Sequence, residues 1–267
     1  MAVKKTGRPV ITLTTDFGVT DHYVGVMKGV IAGLCPDAQV VDISHDVPPF
    51  EIAQGAFLVA QAWPYFPKGT VHVAVVDPGV GTARRPILVE AHGQKFIGPD
   101  NGVLALVYAE TEHKAREITN DKLFLPGVSR TFHGRDIFAP VAARIAAGAR
   151  VSSVGPVIQD HLRLSAYKPS RTSKRLWTGS VLYVDRFGNL ITNFHGSEFG
   201  DVKTRPFEVS IGTVKVHRMA LTFADADPGE VVLVLGSSGY FEIAANQGSA
   251  AKLLGCGVGA PVDVELF

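Results

Sequence analysis

Three features of the chain predict an α/β fold with a mainly parallel central sheet, followed by a C-terminal antiparallel β-barrel domain. Short β-branched runs alternate with helix-period stripes in the first half, a polar stretch interrupts the chain near residue 170, and closely spaced short strands follow it. Residues 10–15 read as a buried strand. In 23–34, Val24, Met27, Val30, Ile31 and Leu34 recur at three and four residues and form one apolar helical stripe, which Pro36 ends. Residues 39–43 form the next strand, 52–63 the next helix with Pro64 as its stop, and 70–76 a third, almost wholly β-branched strand. A helix over 134–147 ends in an Ala-rich stretch, with Pro140 in or near its first turn and Gly148 at the C-cap. The K-P-S-R-T-S-K run at 168–174 has the composition of an exposed connector. The expected organisation is therefore an N-terminal α/β domain over 1–168, a linker over 169–176 and a barrel domain over 177–267. Short strands at 180–184, 207–211, 213–217, 231–235, 241–244 and 262–266 build the last of these.

Composition narrows the function classes. A chain of 267 residues with 46% hydrophobic and 19% charged side chains buries a large core in one large or two unequal domains. Its 26 basic against 25 acidic residues leave a formal charge of +1, which creates no field for gathering phosphate backbones or anionic lipid. Neither nucleic acid nor a membrane is an expected partner. No apolar run approaches bilayer length, and 10–17 is too polar for a signal-peptide core, so a cytoplasmic location is expected. Cys35 and Cys256 form no C-x-x-C pair and read as buried thiols, with no metal site.

The chemistry concentrates at strand ends. Asp16 in T-T-D-F-G and Asp77 in V-V-D-P-G each follow an apolar strand directly, and open α/β sheets bind ligands at the carboxyl ends of their strands. Either acid alone could equally cap a turn, but two such acids point to a site. Gly18, Gly79 and Gly81 allow sharp turns there. Arg84 lies seven residues beyond Asp77 on a loop flexible enough to fold its guanidinium back over the acid, and His133 stands just before a helix. A desolvated Asp–Arg–His cluster could hold water in a fixed orientation. No partner is assigned to His22, His92, His113 or His161. G-V-G-T-A-R at 79–84 lacks the third small residue of a dinucleotide fingerprint, and no phosphate loop, H-E-x-x-H or G-x-S-x-G elbow occurs.

These residues sit within six ordered motifs: T-D-F-G at 15–18, V-D-P-G-V-G-T at 76–82, P-D-N-G at 99–102, T-F-H-G-R-D at 131–136, D-R-F-G-N-L-I-T-N at 185–193 and G-S-S-G-Y-F-E-I-A at 236–244. Together they closely resemble the S-adenosyl-L-methionine hydroxide adenosyltransferase family, water-using relatives of the fluorinating and chlorinating adenosyl enzymes. The resemblance implies a homotrimer with active sites between neighbouring subunits. It carries the family's catalytic set onto Asp77, Arg84 and His133, and implies that Asp16 grips the ribose hydroxyls. Phe50 matches an aromatic near the ligand, Asp21 and Asp185 match groups around the methionine ammonium, and Asn189 matches the amide that reads adenine. Ser237, Ser238, Glu242 and the backbone near Ala245 match the lining of the same pocket.

The halide-using relatives carry Tyr and Ser where this chain has Asp77 and Gly134, and both differences favour water. Ser238 replaces an Arg of the fluorinating members, which leaves the methionine carboxylate contacts unassigned. The expected activity is hydrolysis of S-adenosyl-L-methionine to adenosine and L-methionine by attack at C5′, with the methionine compound as substrate and no cofactor. The proton acceptor is left open among the three. A halide-using transferase, hydrolysis of another adenosine derivative and a non-catalytic sensor of S-adenosyl-L-methionine or adenosine are the rival readings.

Overall fold

The computed structural model describes residues 7–109, 111–163 and 168–267. The chain divides into two compact units, Met1–Leu164 and Ser165–Phe267.

In the first unit, β1 (Val10–Thr15), α1 (Tyr23–Leu34), β2 (Gln39–Ser44), α2 (Ile52–Ala62) and β3 (Val71–Val75) follow the predicted β-α-β order. The chain then forms the hairpin β4 (Pro86–Ala91) and β5 (Gln94–Pro99), the short helix α3 (Ala105–Tyr108), β6 (His113–Glu117), α4 (Ala139–Ala146) and β7 (Val157–Ile158). The sheet order is β2-β1-β3-β5-β4-β6-β7. The junctions among β2, β1, β3 and β5 are parallel, and the remainder are antiparallel. The antiparallel half arises because β4 and β5 are joined by His92 and Gly93 alone, both at positive φ (52° and 75°), a two-residue turn that cannot carry a crossover.

Side-chain alternation divides the sheet into two faces. Ile11 and Leu13 of β1 and Val71, Val73 and Val75 of β3 meet Met27 and Ile31 of α1 and Phe138, Val141 and Ala142 on the α4 side, all buried in one core. Alanines at 139, 142, 143 and 146 let α4 approach closely. The opposite face carries Thr12 and His72. The His72 ring stacks on Phe96 at 4.8 Å and bonds Thr12 Oγ1 at 2.8 Å and Gln94 Oε1 at 2.5 Å.

The second unit is a single curled sheet. Its strands are β8 (Ser170–Arg171), β9 (Leu176–Val184), β10 (Leu190–His195), β11 (Phe207–Ile211), β12 (Val214–Val216), β13 (Met219–Ala220), β14 (Val231–Leu235), β15 (Tyr240–Ala245) and β16 (Pro261–Leu266). They run β12-β11-β16-β9-β10-β15-β14-β13, with β8 added on β9. Every pairing is antiparallel except β13–β14. Phe194, Phe207, Val209, Phe241, Ile243, Val262 and Val264 fill the concave side. The stretch 169–176, expected as a connector, instead folds back: Ser170 and Arg171 pair with Thr178 and Trp177, and the Arg171 guanidinium lies 5.1 Å over the Trp177 ring. A polar, basic composition suits an edge strand as well as a linker.

Candidate active site

β1 and β3 are neighbours, but the chain leaves them in opposite directions. β1 proceeds through α1 to β2 on one side, and β3 proceeds to the β4–β5 hairpin on the other. Their carboxyl ends form the crevice at which strand order reverses, where open sheets bind ligands. The pairing Thr15↔Val75 brings Asp16 and Asp77 to the same lip of the sheet. Asn101 secures this edge: its Nδ2 donates to the Val76 carbonyl at 2.8 Å, while its Oδ1 accepts the Val103 amide at 3.1 Å.

The loop after Asp77 folds tightly. The Val80 amide closes on the Asp77 carbonyl at 3.2 Å, and the Thr82 amide and hydroxyl meet the Gly79 carbonyl at 3.1 and 2.6 Å. Gly81, at φ 77°, packs so closely on the Arg130 carbonyl that any Cβ would collide with it. This fold returns Arg84 to Asp77 in a bidentate pair, Nε to Oδ1 at 2.9 Å and Nη2 to Oδ2 at 2.5 Å. The two side chains are only 9% and 4% exposed. Arg84 Nη2 also donates to His133 Nδ1 at 2.7 Å.

That last bond assigns the ring. A guanidinium has no acceptor, so His133 Nδ1 accepts and the proton of the neutral imidazole rests on Nε2. Burial, followed by the Arg84 charge, lowers the His133 pKa below its ordinary value against the opposing pull of Asp77. His133 is therefore neutral near pH 7, with an Nε2–H to donate.

The height of His133 depends on a helical irregularity. It precedes a π-helical turn, Gly134–Phe138, in which the Ala139 amide reaches back to the Gly134 carbonyl. Pro140 has no N–H for the Asp136 carbonyl, and the Leu125 amide takes that place at 2.9 Å. The Asp136 carboxylate, 2% exposed, accepts the Ser129 amide at 2.8 Å and Arg135 Nε at 2.6 Å. The segment before His133 is thus tied to the helix that follows it. A Cβ on Gly134 would lie 3.2 Å from Met27 Sδ and the Phe132 ring and 3.3 Å from the Phe17 ring.

Asp16 accepts the Phe50 amide on Oδ2 at 3.0 Å. Burial raises the Asp16 pKa, the Phe50 amide opposes the rise, and the Asp77 charge adds to it. Phe50 itself holds φ at 72°, unusual for an aromatic residue, and its ring is 70% exposed. Beneath this loop, Thr15 Oγ1 lies 2.8 Å from Nδ1 of buried His45, whose Nε2 stands 3.1 Å from Asp42 Oδ1. The His45 carbonyl receives the Gly18 amide at 2.8 Å. Asp21 lies exposed between Gly18 and α1.

In the second unit, Asp185 is engaged within its own turn. Its Oδ1 accepts the amides of Phe187 and Asn189 at 2.9 and 2.8 Å, and its Oδ2 accepts Asn189 Nδ2 at 2.8 Å. Asn189 is buried and keeps its Oδ1 free of this pairing. Glu242 on β15 faces Val234 of β14 and Ile191 of β10, and Ala245 closes β15 opposite Val231. Ser237 is exposed and Ser238 half-buried in the β14–β15 turn. Burial, with the nearby Asp185 charge, pushes the Glu242 carboxyl up to about 6.

The structure thus brings Asp77, Arg84 and His133 together, sets Asp16 and Phe50 on a shared hydrogen bond, and couples Asp185 to Asn189. Residues the sequence left without a role are His45, Thr15 and Asp136; Asn101 was visible only as part of P-D-N-G. Histidines with no assigned partner also acquire one. His92 stacks on Trp63 at 4.0 Å, His22 on Tyr23 at 4.7 Å, and His113 Nε2 meets His161 Nε2 at 2.9 Å. Among the described residues, no group of three or more His, Cys, Asp or Glu is placed to hold a metal ion, and no helix is long and apolar enough to cross a membrane.

A buried carboxylate–guanidinium–imidazole cluster at the switch point of an open sheet defines a class of small-molecule site built for polar chemistry. The family model for the SAM hydroxide adenosyltransferase N-terminal domain matches residues 11–155, and that for the C-terminal domain matches 179–263. This chain belongs to the SAM hydroxide adenosyltransferase family. A Salinispora tropica protein named (R)-S-adenosyl-L-methionine hydrolase is 42% identical over 250 residues, covering 92% of this chain and 94% of that protein. A crystal structure of an uncharacterized conserved protein from Thermotoga maritima matches with a TM-score of 0.87 and 38% identity, covering 95% of this chain and 99% of that one. A fluorinase from Actinoplanes sp. is more distant, at 30% identity over 291 residues, 97% of this chain and 98% of that protein.

Proposed function

We propose that this protein hydrolyses S-adenosyl-L-methionine at C5′, releasing adenosine and L-methionine. The observation that supports this most strongly is the shared Arg84 nitrogen, 2.5 Å from Asp77 and 2.7 Å from His133, which makes one unit of the three side chains at the ligand-binding edge of the sheet. The sulfonium needs no acid catalyst, because its positive charge disappears as the C5′–S electron pair returns to sulfur. The protein's task is to hold and orient a poor nucleophile. Positioning can supply roughly 7–11 kcal/mol, against about 10²–10⁴-fold from a general base.

In this reading a water molecule lies between Asp77 and His133 and attacks C5′ in line with the departing thioether. His133 Nε2–H donates to the water oxygen and directs its lone pair at carbon. Asp77 takes the proton through lone pairs that Arg84 leaves unused. A carboxylate in a bidentate pair is a weak base, but a weak base suffices, since the water proton becomes strongly acidic once the C–O bond forms. The chemistry requires neither cofactor nor metal. Asp16 and Phe50 hold the ribose side of the substrate, while Asp21 and the pocket of the second unit, with Asn189, Ser237, Ser238, Glu242 and Ala245, hold the rest.

The two units act as domains of a homotrimer with sites between neighbouring subunits, in the cytoplasm. The names of the hydrolase relatives specify the (R) sulfonium epimer, and this protein is assigned the same preference. Incubation with each epimer in oxygen-18 water tests the reading. Label in the adenosine 5′-hydroxyl, fastest from the (R) epimer, is the expected result. 5′-Halo-adenosine formed in chloride or fluoride, or saturable binding without turnover, would replace the proposal with one of its rivals.

A further inference from the structure

We infer that His45 is the positioning residue for Asp16, setting the carboxylate that meets the ribose hydroxyls through a chain of polar contacts ending at the neighbouring Thr15. It rests on the adenosyl reading above and concerns a side chain buried beneath the site.

The chain starts from a strand irregularity. β1 and β2 pair Leu13 with Asp42 but Thr14 with Ser44, so β2 carries one extra residue there. Such a bulge re-aims the side chains that follow it. The next residues on the two strands are Thr15 and His45; both are buried, and Thr15 Oγ1 lies 2.8 Å from His45 Nδ1. On the far side of the ring, Nε2 stands 3.1 Å from Asp42 Oδ1, and Lys28 Nζ of α1 donates to Asp42 Oδ2 at 2.6 Å. Burial raises the Asp42 pKa, but the Lys28 and His45 contacts outweigh it and hold the carboxyl below its ordinary value. An ionised acceptor beside Nε2 places the proton of the neutral ring there. Nδ1 then accepts the Thr15 hydroxyl proton, which leaves the Thr15 oxygen to accept the Phe17 amide at 3.3 Å. That last bond closes a turn whose central residue is Asp16.

Main-chain bonds carry His45 to the other side of the acid. Its carbonyl accepts the Gly18 amide at 2.8 Å, and the Thr15 carbonyl accepts the Val47 amide at 3.4 Å. The segment fastened in this way runs on to Phe50, whose amide bonds Asp16 Oδ2. Asp16 is thus held through its own turn and from across by Phe50, and His45 supports both. A carboxylate that grips two adjacent hydroxyls tolerates little displacement. An apolar side chain would fill the same space without the cost of burying an imidazole and a hydroxyl.

The test measures binding of adenosine and of 2′,3′-dideoxyadenosine, which lacks both ribose hydroxyls, to the intact protein by calorimetry. The wild type should prefer adenosine by about ten- to a hundredfold. His45→Phe keeps a flat ring of similar size but breaks the chain, and should cut that preference to less than about threefold while 2′,3′-dideoxyadenosine binds nearly as before. His45→Asn, whose Oδ1 replaces Nδ1 as the acceptor for Thr15, should recover part of the preference. Thr15→Val removes only the hydroxyl and should reproduce the loss, which gives a reading even where His45→Phe does not fold. A merely structural histidine would weaken both ligands together, so equal losses would overturn the assignment, as would the wild-type preference surviving in these variants. Equal binding of the two nucleosides by the wild type would overturn it too, by removing the grip of Asp16. A wild type that binds neither would overturn the adenosyl reading itself, and the assignment with it.

Discussion

Arg84 donates to His133 Nδ1 at 2.7 Å from the same nitrogen that bonds Asp77 at 2.5 Å. The imidazole is therefore locked as an Nε2–H donor, which assigns proton acceptance in the proposed reaction to the carboxylate.

Arg84→Lys should lower kcat by about 10²–10³-fold with a small change in KM. An ammonium cannot form the bidentate pair and reach the ring from one plane. The Arg84 charge lowers the His133 pKa, so Arg84→Met should raise it. Adenosine chromatography and histidine NMR titration measure the two effects.

Phe50 sustains φ 72° while its amide bonds Asp16. A left-handed conformation costs a residue with a Cβ about 1–2 kcal/mol. Phe50→Gly should therefore be more stable than Phe50→Ala by about 1 kcal/mol in urea unfolding, and both should raise KM by removing the ring. Equal stabilities would show that the backbone relaxes when the ring is lost.

Gly134→Ser should not create a halide-using enzyme by itself. The new Cβ would press on Met27, Phe132 and Phe17 at 3.2–3.3 Å, which predicts a destabilisation of about 1–3 kcal/mol. Combination with Met27→Ala should restore part of the loss, measured as a double-mutant cycle.

His72 gives stability a pH dependence. Burial lowers its pKa from 6.5 to about 4. Between those values the unfolded chain binds the extra proton, so this contribution is complete above pH 6.5 and is lost as pH falls toward 4. The loss amounts to about 3 kcal/mol. Glu242, raised to about 6, works in the opposite sense over an overlapping range. The difference between wild type and His72→Gln isolates the histidine: the wild type should fall more steeply below pH 6.5.

Local periodicity made much of the fold legible. The α1 stripe, the β-branched third strand and the short strands after residue 176 each record a repeating contact with one buried face. Asp16 and Asp77 followed as strand-end acids, because a strand aims the residue after it. The 86–117 region was less legible. Its hairpin depends on His92 and Gly93 adopting positive φ, which a histidine does not announce. Pro140 was expected in or near the first turn of a helix, and it is the second residue of α4, but a π-helical turn precedes it and the missing hydrogen bond is filled by Leu125 from a distant loop.

The amino-acid sequence by itself determined which stretches become strands and helices, which acids terminate the parallel strands, and to which family the chain belongs, since all three are written in neighbouring residues and ordered motifs. Tertiary structure alone decided that Arg84 is shared between Asp77 and His133, that Asp185 is engaged while Glu242 is not, and that Gly134 lies tightly against Met27, Phe132 and Phe17. Each of these depends on atoms brought together from distant parts of the chain, where packing and hydrogen-bond geometry select among arrangements that local sequence leaves equally open.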